Sequence, residues 1–262
     1  MNIDLSGKTA LVGGSSQGIG LAIARQLAQQ GARVIVMARS EQKLAEVCRQ
    51  LEHNSPQKHL YLTADLQQPD TAVDRLNALL DDKVQIDILI NNSGGPPPGP
   101  AHQADAQSYL TAFNQHLIAN QLFTRAVIPH MQKQHWGRII NVISTSVKQP
   151  IANLGVSNTI RGAVASWAKT LAAELGPDNI TVNNVLPGAT DTQRLSAIFE
   201  NKAKKQNKTL DEIIAAEKQA IPLRRFAKPE EFANVVGFLA SEAGAYINGI
   251  NLPVDGGRTG CL

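Results

Sequence analysis

Two cysteines, Cys48 and Cys261, are all this 262-residue chain contains. They build no disulfide framework and have no metal-ligand spacing, so a reducing compartment is expected and no metal site is read. Aromatic residues make up only 4%. No tyrosine lies between Tyr109 and Tyr246, a gap that matters below. No apolar run is long enough to span a bilayer, which excludes a helical membrane protein. The opening residues, Met1-Asn2-Ile3-Asp4-Leu5, lack a basic stretch followed by an apolar core. No signal peptide is therefore read, and the cytoplasm is the expected location. Net charge is +3, with the two signs interspersed and no basic stripe or arm. The densest basic cluster, Lys202 to Lys208, sits in a polar stretch and reads as a solvated face. A nucleic-acid partner is excluded on that ground.

What is present is an ample core. The apolar fraction is 43% and the charged fraction 18%, a globular rather than a disordered composition. Short apolar runs alternate with helical spacing from end to end. Thr9 to Val12 reads as a strand, followed by a helix ending at Gly31; Arg33 to Ala38 is a strand, followed by a helix from about Glu41 to Leu51. His59 to Thr63 and Ile86 to Ile90 are the next strands, with a helix from about Thr71 to Leu80 between them. A long helix is predicted over 105–134, then a strand from Ile139 to Ile143 and a helix over 153–175. Thr181 to Val185, a polar excursion over roughly 190–225, a helix from Pro229 to about Ala240, and a strand from Ile250 to Val254 complete the chain. The alternation predicts an α/β fold: a doubly wound parallel sheet in three layers, helices on both faces and right-handed crossovers, in a single domain over 1–262.

Several loops at the carboxyl ends of the strands carry chemistry, and that edge is where open parallel sheets bind ligands. The turn Gly13-Gly14-Ser15-Ser16-Gln17-Gly18-Ile19-Gly20 joins a strand to an amphipathic helix. Such glycines let the backbone approach a pyrophosphate at a helix N-terminus, or they make a tight turn and nothing more. Arg39 stands after the second strand, where an acid would accept from an adenosine ribose; it either pairs with a 2′-phosphate or is a surface arginine. This favours NADP(H) over NAD(H). Asp65 either accepts from an adenine amino group or caps a turn. Asn91-Asn92-Ser93-Gly94-Gly95 and Pro187-Gly188-Ala189-Thr190-Asp191-Thr192 lie at the same edge. The stiff Pro96-Pro97-Pro98-Gly99-Pro100 either walls a substrate site or bridges to the next helix. Ser144-Thr145-Ser146 end the fifth strand, and Ser157 and Arg161, four residues apart, share one face of the next helix.

Together these motifs resemble the short-chain dehydrogenase/reductase family, most closely its β-ketoacyl-carrier-protein-reductase-like branch. The family's T-G-x-x-x-G-x-G stands here from Gly13 to Gly20, with Gly13 replacing the threonine. Its N-N-A-G is Asn91-Asn92-Ser93-Gly94, its P-G-x-x-x-T runs from Pro187 to Thr192, and its Y-x-x-G-x-x-x-x-V-D-G-G from Tyr246 to Gly257. The resemblance implies a Rossmann sheet of order 3-2-1-4-5-6-7, a lid over about 190–225, and a small-molecule carbonyl or secondary alcohol as substrate. It also implies a homo-oligomer, tetramer or dimer, packed through helices 105–134 and 153–175. The implied cofactor contacts are Gly14, Ser16, Gln17, Gly18, Ile19, Gly20, Arg39, Asp65, Leu66, Asn92, Ser93, Gly94, Arg161, Pro187, Gly188, Thr190 and Thr192.

The catalytic pattern departs from the family. Its serine falls on Ser144, but its tyrosine falls on Ser157, its lysine on Arg161 and its asparagine on His116, with Asn120 one turn further along. Tyrosine begins near a pKa of about 10, and a serine hydroxyl is a far weaker acid. Arginine keeps its charge and gives up no proton. Three readings follow. His116 supplies the proton, since imidazole titrates near neutrality, or it is a satisfied histidine between helices. Water relayed past Ser157 supplies it, giving a slow enzyme. Or the chain binds NADP(H) and does no redox chemistry, as a sensor or a stabilising subunit.

Overall fold

The apolar runs form seven strands in the computed structural model, which describes residues 1–51 and 57–261. They are β1 (Thr9–Gly13), β2 (Arg33–Ala38), β3 (Leu60–Thr63), β4 (Ile88–Asn91), β5 (Gly137–Val142), β6 (Ile180–Pro187) and β7 (Asn251–Val254). All pair in parallel in the order β3-β2-β1-β4-β5-β6-β7, as the family resemblance implies. The helices are α1 (Gly18–Gln29), α2 (Glu41–Gln50), α3 (Pro69–Asp81), α4 (Ala106–Phe113), α5 (Ala119–Gln134), α6 (Gly155–Leu175), α7 (Gln193–Gln206), α8 (Leu210–Gln219) and α9 (Pro229–Ala240).

The two-residue period of each strand splits the core into two layers. Ala10, Val12, Val34, Val36, Ile88 and Ile90 turn to α1, α2 and α9, where Phe232 is fully buried. Leu11, Ile35, Met37, Leu89, Ile139 and Val182 turn to α3, α5 and α6, against Phe123 and Met131. Truncating either buried phenylalanine would cost roughly 3–5 kcal/mol. Because both faces are covered, the strands carry apolar residues without a polar alternation. Between β1 and β4 the strand order reverses, and the loops on either side part there to leave a crevice.

One row of polar side chains crosses this apolar sheet. Asn91, Asn141, Asn184 and Asn251 occupy directly paired positions on β4, β5, β6 and β7. Asn91 donates to Asn141 at 2.8 Å, Asn141 to Asn184 at 2.9 Å, and Asn184 to Asn251 at 2.8 Å. Slipping any of these strands by one residue would turn its asparagine into the opposite layer and break the row.

Two expected boundaries shift for physical reasons. The helix over 105–134 is two helices joined by a π turn, Asn114–Ile118, in which the Ala119 N–H reaches back to the Asn114 carbonyl. Side-chain contacts hold this wider turn. Gln115 donates to the Gly94 carbonyl at 2.8 Å, and His116 Nδ1 lies 2.8 Å from Ser93 Oγ. The helix over 153–175 begins at Gly155, because Asn153 adopts φ +62° and a β-carbon at Gly155 would meet the Ala101 backbone at 2.4 Å. Gly99 exchanges backbone bonds with Asn153 and Gly155, at 2.8 and 2.9 Å, so the proline-rich loop is clamped to the start of α6. The excursion folds as α7 and α8 around Phe199, Ala203 and Ile213, and a Thr209–Glu212 capping box starts α8.

Among the described residues no helix is long and apolar enough to cross a membrane. No His/Cys/Asp/Glu group suited to a metal is present among them either.

Candidate active site

A cleft of about 790 Å³ opens at the carboxyl edge of the sheet, across the point where the strand order reverses. At one end lies the glycine turn. Gly14 and Gly18 take φ of +58° and +59°, a left-handed backbone that favours glycine. A β-carbon at Gly20 would stand 2.3 Å from the Gly14 carbonyl oxygen, so the turn closes only around a hydrogen there. Asn92 Nδ2 donates to the Gly13 carbonyl at 2.9 Å and ties β4 to the turn. Ser15 is buried and binds the turn to β2, its hydroxyl accepting from the Met37 N–H at 2.8 Å. No side chain caps the start of α1. Its first N–H groups and positive dipole end are therefore suited to an anion.

The same end of the cleft is lined by Ser16, Gln17, Ile19, Arg39, Ser40, Lys43, Asp65 and Leu66. Arg39 and Lys43 are exposed cations after β2. Asp65 Oδ1 accepts from the Gln67 N–H at 3.1 Å, so this carboxylate does cap its turn. Ser93, Gly94, Pro187 and Thr192 complete the wall, with Thr192 Cγ2 3.5 Å from where a β-carbon on Gly18 would lie.

At the other end β5 finishes and α6 begins. Ser144, half-buried, accepts from the Ser146 N–H at 3.1 Å, which fixes the turn leaving the strand. Ser157 and Arg161 are buried on the facing side of α6 and line the cleft with Ser144. Arg161 donates to the Val142 carbonyl at 3.2 Å, while its Nε has no partner among the described residues. Burial, with the charge of Arg194 added, pushes this guanidinium down to about 10, so it stays cationic throughout the neutral range.

His116 does not line the cleft. It is 1% exposed behind Ser93, with Nε2 unpartnered among the described residues. Burial first, and then the charges of Arg161 and Arg194, push its imidazole down to about 2. It is therefore the neutral imidazole at neutral pH, a poor proton donor, which weakens the case for it as the acid. Gly188 and Thr190 also lie outside the cleft lining. A β-carbon on Gly188 would meet Asp255 at 2.6 Å, and Thr190 is buried and bridged to Ala227.

Two cations in the lining, Lys43 and Arg194, were not anticipated from sequence. Lys43, in the first turn of α2, is a second cation following Arg39, and that spacing was a readable signal. Arg194, two residues past Thr192, reaches across to donate to the Gly95 carbonyl at 3.3 Å. Nothing local in the sequence points to that contact.

A seven-stranded parallel sheet with a glycine turn at its switch point defines a Rossmann-type α/β protein. Residues 14–259 match the family described as Enoyl-(Acyl carrier protein) reductase. Dehydrogenase/reductase SDR family member 4 of Oryctolagus cuniculus is 35% identical over 257 residues, covering 97% of this chain and 94% of that protein. L-Sorbose reductase from Gluconobacter frateurii, solved with NADPH and L-sorbose, superposes with a TM-score of 0.93 at 31% identity over the whole of both chains. The 3-ketoacyl-(acyl-carrier-protein) reductase from Brucella melitensis, solved with NADH, gives a TM-score of 0.83 at 30% identity, covering 98% of this chain and 100% of that one. The chain belongs to the short-chain dehydrogenase/reductase family and is ketoacyl-reductase-like.

Proposed function

We propose that the protein is an NADP(H)-dependent oxidoreductase that interconverts a carbonyl and a secondary alcohol without the family's tyrosine acid. The observation that carries this is the single cleft joining the glycine turn to Ser144, Ser157 and Arg161. The turn fits a dinucleotide: Gly14 and Gly18 hold it in a left-handed backbone, and the uncapped start of α1 offers N–H donors to a pyrophosphate. Arg39 and Lys43 supply charge for a 2′-phosphate, which supports NADP(H) over NAD(H). NADPH held there would supply the hydride that reduces a carbonyl.

The chain's own residues deal with the oxygen. The Ser144 hydroxyl donates to the carbonyl oxygen and polarises it. Arg161 holds a fixed positive charge beside the negative charge that develops there. The proton that completes the alcohol comes from solvent past Ser157, because His116 is neutral and enclosed. A hydroxyl relay lacking a good acid is slow, so turnover is expected to be modest.

A second reading, a protein that binds NADP(H) without redox chemistry, is favoured by that same neutral His116. A carbonyl panel assayed with NADPH separates the two. Turnover by the wild type that falls with Ser144→Ala and is unchanged with His116→Ala supports the first. No wild-type turnover, with turnover gained on replacing Ser157 by Tyr and Arg161 by Lys, supports the second. Absence of saturable NADPH fluorescence binding would sink both.

We further assign α7 and α8 as a lid over the substrate, and a homo-oligomer, tetramer or dimer, built on 105–134 and 153–175. Leu110 and Phe113 on α4, 56% and 37% exposed, support such an interface. Light scattering of the purified protein reads the assembly directly.

A further inference from the structure

Two arginines converge on one glycine in the cleft. A β-carbon placed on Gly95 would lie 2.9 Å from Arg194 Nη2 and 3.6 Å from Arg161 Nη2. Like charges are thus held close together. Among the described residues neither arginine enters an ion pair, whereas Arg49, Arg138, Arg225 and Arg258 each face a glutamate. Arg161 is 7% exposed, and its buried Nε lacks a partner among the described residues. Burying the unpaired Arg161 cation is costly, so an anion entering the cleft between it and the exposed Arg194 would stabilise it.

The position of the charge indicates what enters. The glycine turn and the uncapped start of α1 already offer donors for a pyrophosphate. Arg161 instead stands one helical turn from Ser157, and it bonds to Val142, two residues before Ser144. The free charge therefore lies beside the hydroxyls assigned to the carbonyl oxygen. The only carboxylate among the described lining residues is Asp65, at the adenosine end.

We infer that the substrate is a small keto acid, or the corresponding hydroxy acid, whose carboxylate sits between Arg161 and Arg194 beside Gly95 while its carbonyl oxygen meets Ser144 and Ser157. This rests on the oxidoreductase reading of the cleft. Reduction adds a hydride at the carbonyl carbon and a proton at its oxygen, and the carboxylate is unchanged. The five donors of each guanidinium form a planar fork matched to a carboxylate. Arg161 can thus hold the carboxylate with one edge and keep its charge near the carbonyl oxygen.

The test is calorimetric titration of acetoacetate, and of its uncharged counterpart acetoacetamide, into protein saturated with NADP+. Acetoacetate is expected to bind roughly ten-fold or more tightly than the amide. Arg194→Gln is expected to remove that difference while changing NADP+ affinity less than about three-fold, and Arg194→Lys to restore part of it. Arg194 is exposed, so its replacement leaves the fold intact, which an unchanged melting temperature verifies. Equal binding of the two probes, or binding of neither to NADP+-saturated protein, overturns the inference and leaves the oxidoreductase reading standing. So does a loss of NADP+ affinity of roughly ten-fold or more in Arg194→Gln, which would give that arginine to the pyrophosphate. If NADP+ does not bind at all, the reading of the cleft fails first and the inference with it.

Discussion

Replacing Gly20 by alanine and Gly162 by alanine makes the same chemical change and is expected to have opposite effects. At Gly20 the new carbon would lie 2.3 Å from the Gly14 carbonyl oxygen and 2.7 Å from Asn92 Nδ2, well inside van der Waals contact. Relieving it requires a shift of roughly 1 Å by a backbone carbonyl in a turn already at positive φ. Overpacking of this kind costs roughly 1–3 kcal/mol. Displacing Asn92 weakens its hydrogen bond to Gly13 and adds about 1 kcal/mol. For a chain of this length the sum corresponds to a fall in Tm of roughly 5–15 °C. NADPH affinity should fall roughly ten-fold or more, because the amides of the turn move with it. Gly162 lies exposed in α6, and a carbon there meets nothing within 4 Å. Its alanine gains helix propensity, about 0.4–1 kcal/mol, and raises Tm by roughly 1–4 °C with no change in NADPH binding. Thermal unfolding with fluorescence titration of the two variants reads both effects. If Gly20→Ala melts within about 1 °C of wild type and still binds NADPH normally, the close-approach argument is wrong.

Three further outcomes are expected. His116 is neutral in the fold and takes a proton only in the unfolded chain, since its folded value is near 2 against an ordinary 6.5. Its contribution to stability is therefore constant above about 6.5 and falls toward acid, by up to about 1.4 kcal/mol per pH unit. Urea unfolding at about pH 7.5 and 5.5 should show that loss in wild type and a smaller one in His116→Gln; equal slopes would refute it. Arg39→Asp should weaken NADPH by roughly ten-fold or more while leaving or improving NADH, read by paired fluorescence titrations; parallel changes for both would remove Arg39 from the 2′-phosphate. The double variant Ser157→Tyr with Arg161→Lys should raise the rate of carbonyl reduction over wild type, measured as NADPH consumption, since it restores an acid that can be tuned by its neighbours.

The strands were legible because each is a short apolar run of the right length, Thr9 to Val12 being one case. Their order in the sheet was not: periodicity carries no pairing information, and the order came from the resemblance. The π turn at Asn114–Ile118 was invisible because one extra residue barely disturbs a helical repeat. His116 could be found by type and position, but its charge state depends on burial and on two distant arginines, which a linear sequence does not express. Arg194 was missed for a related reason, since its partner Gly95 lies 99 residues away. Gly188 and Thr190 sit in an intact motif, yet their side of the loop packs on Asp255 and Ala227 instead of facing the cleft. Motifs locate a loop more reliably than they orient each residue within it.

The row of asparagines has a polarity: each amide donates toward β7, so the four groups are aligned from the middle of the sheet to its edge. Only two arrangements keep all three bonds, every amide as it stands or every amide reversed together. A lone reversal sets donor against donor on one side. Substituting Asn141 by leucine strands two buried partners and Asn184 one buried and one half-buried, whereas the same change at Asn91 strands one. The interior positions are therefore the hardest to change singly. Sequence drift in this protein should treat the four as a single heritable unit, kept whole or exchanged together for apolar side chains, even though they lie on four separate strands.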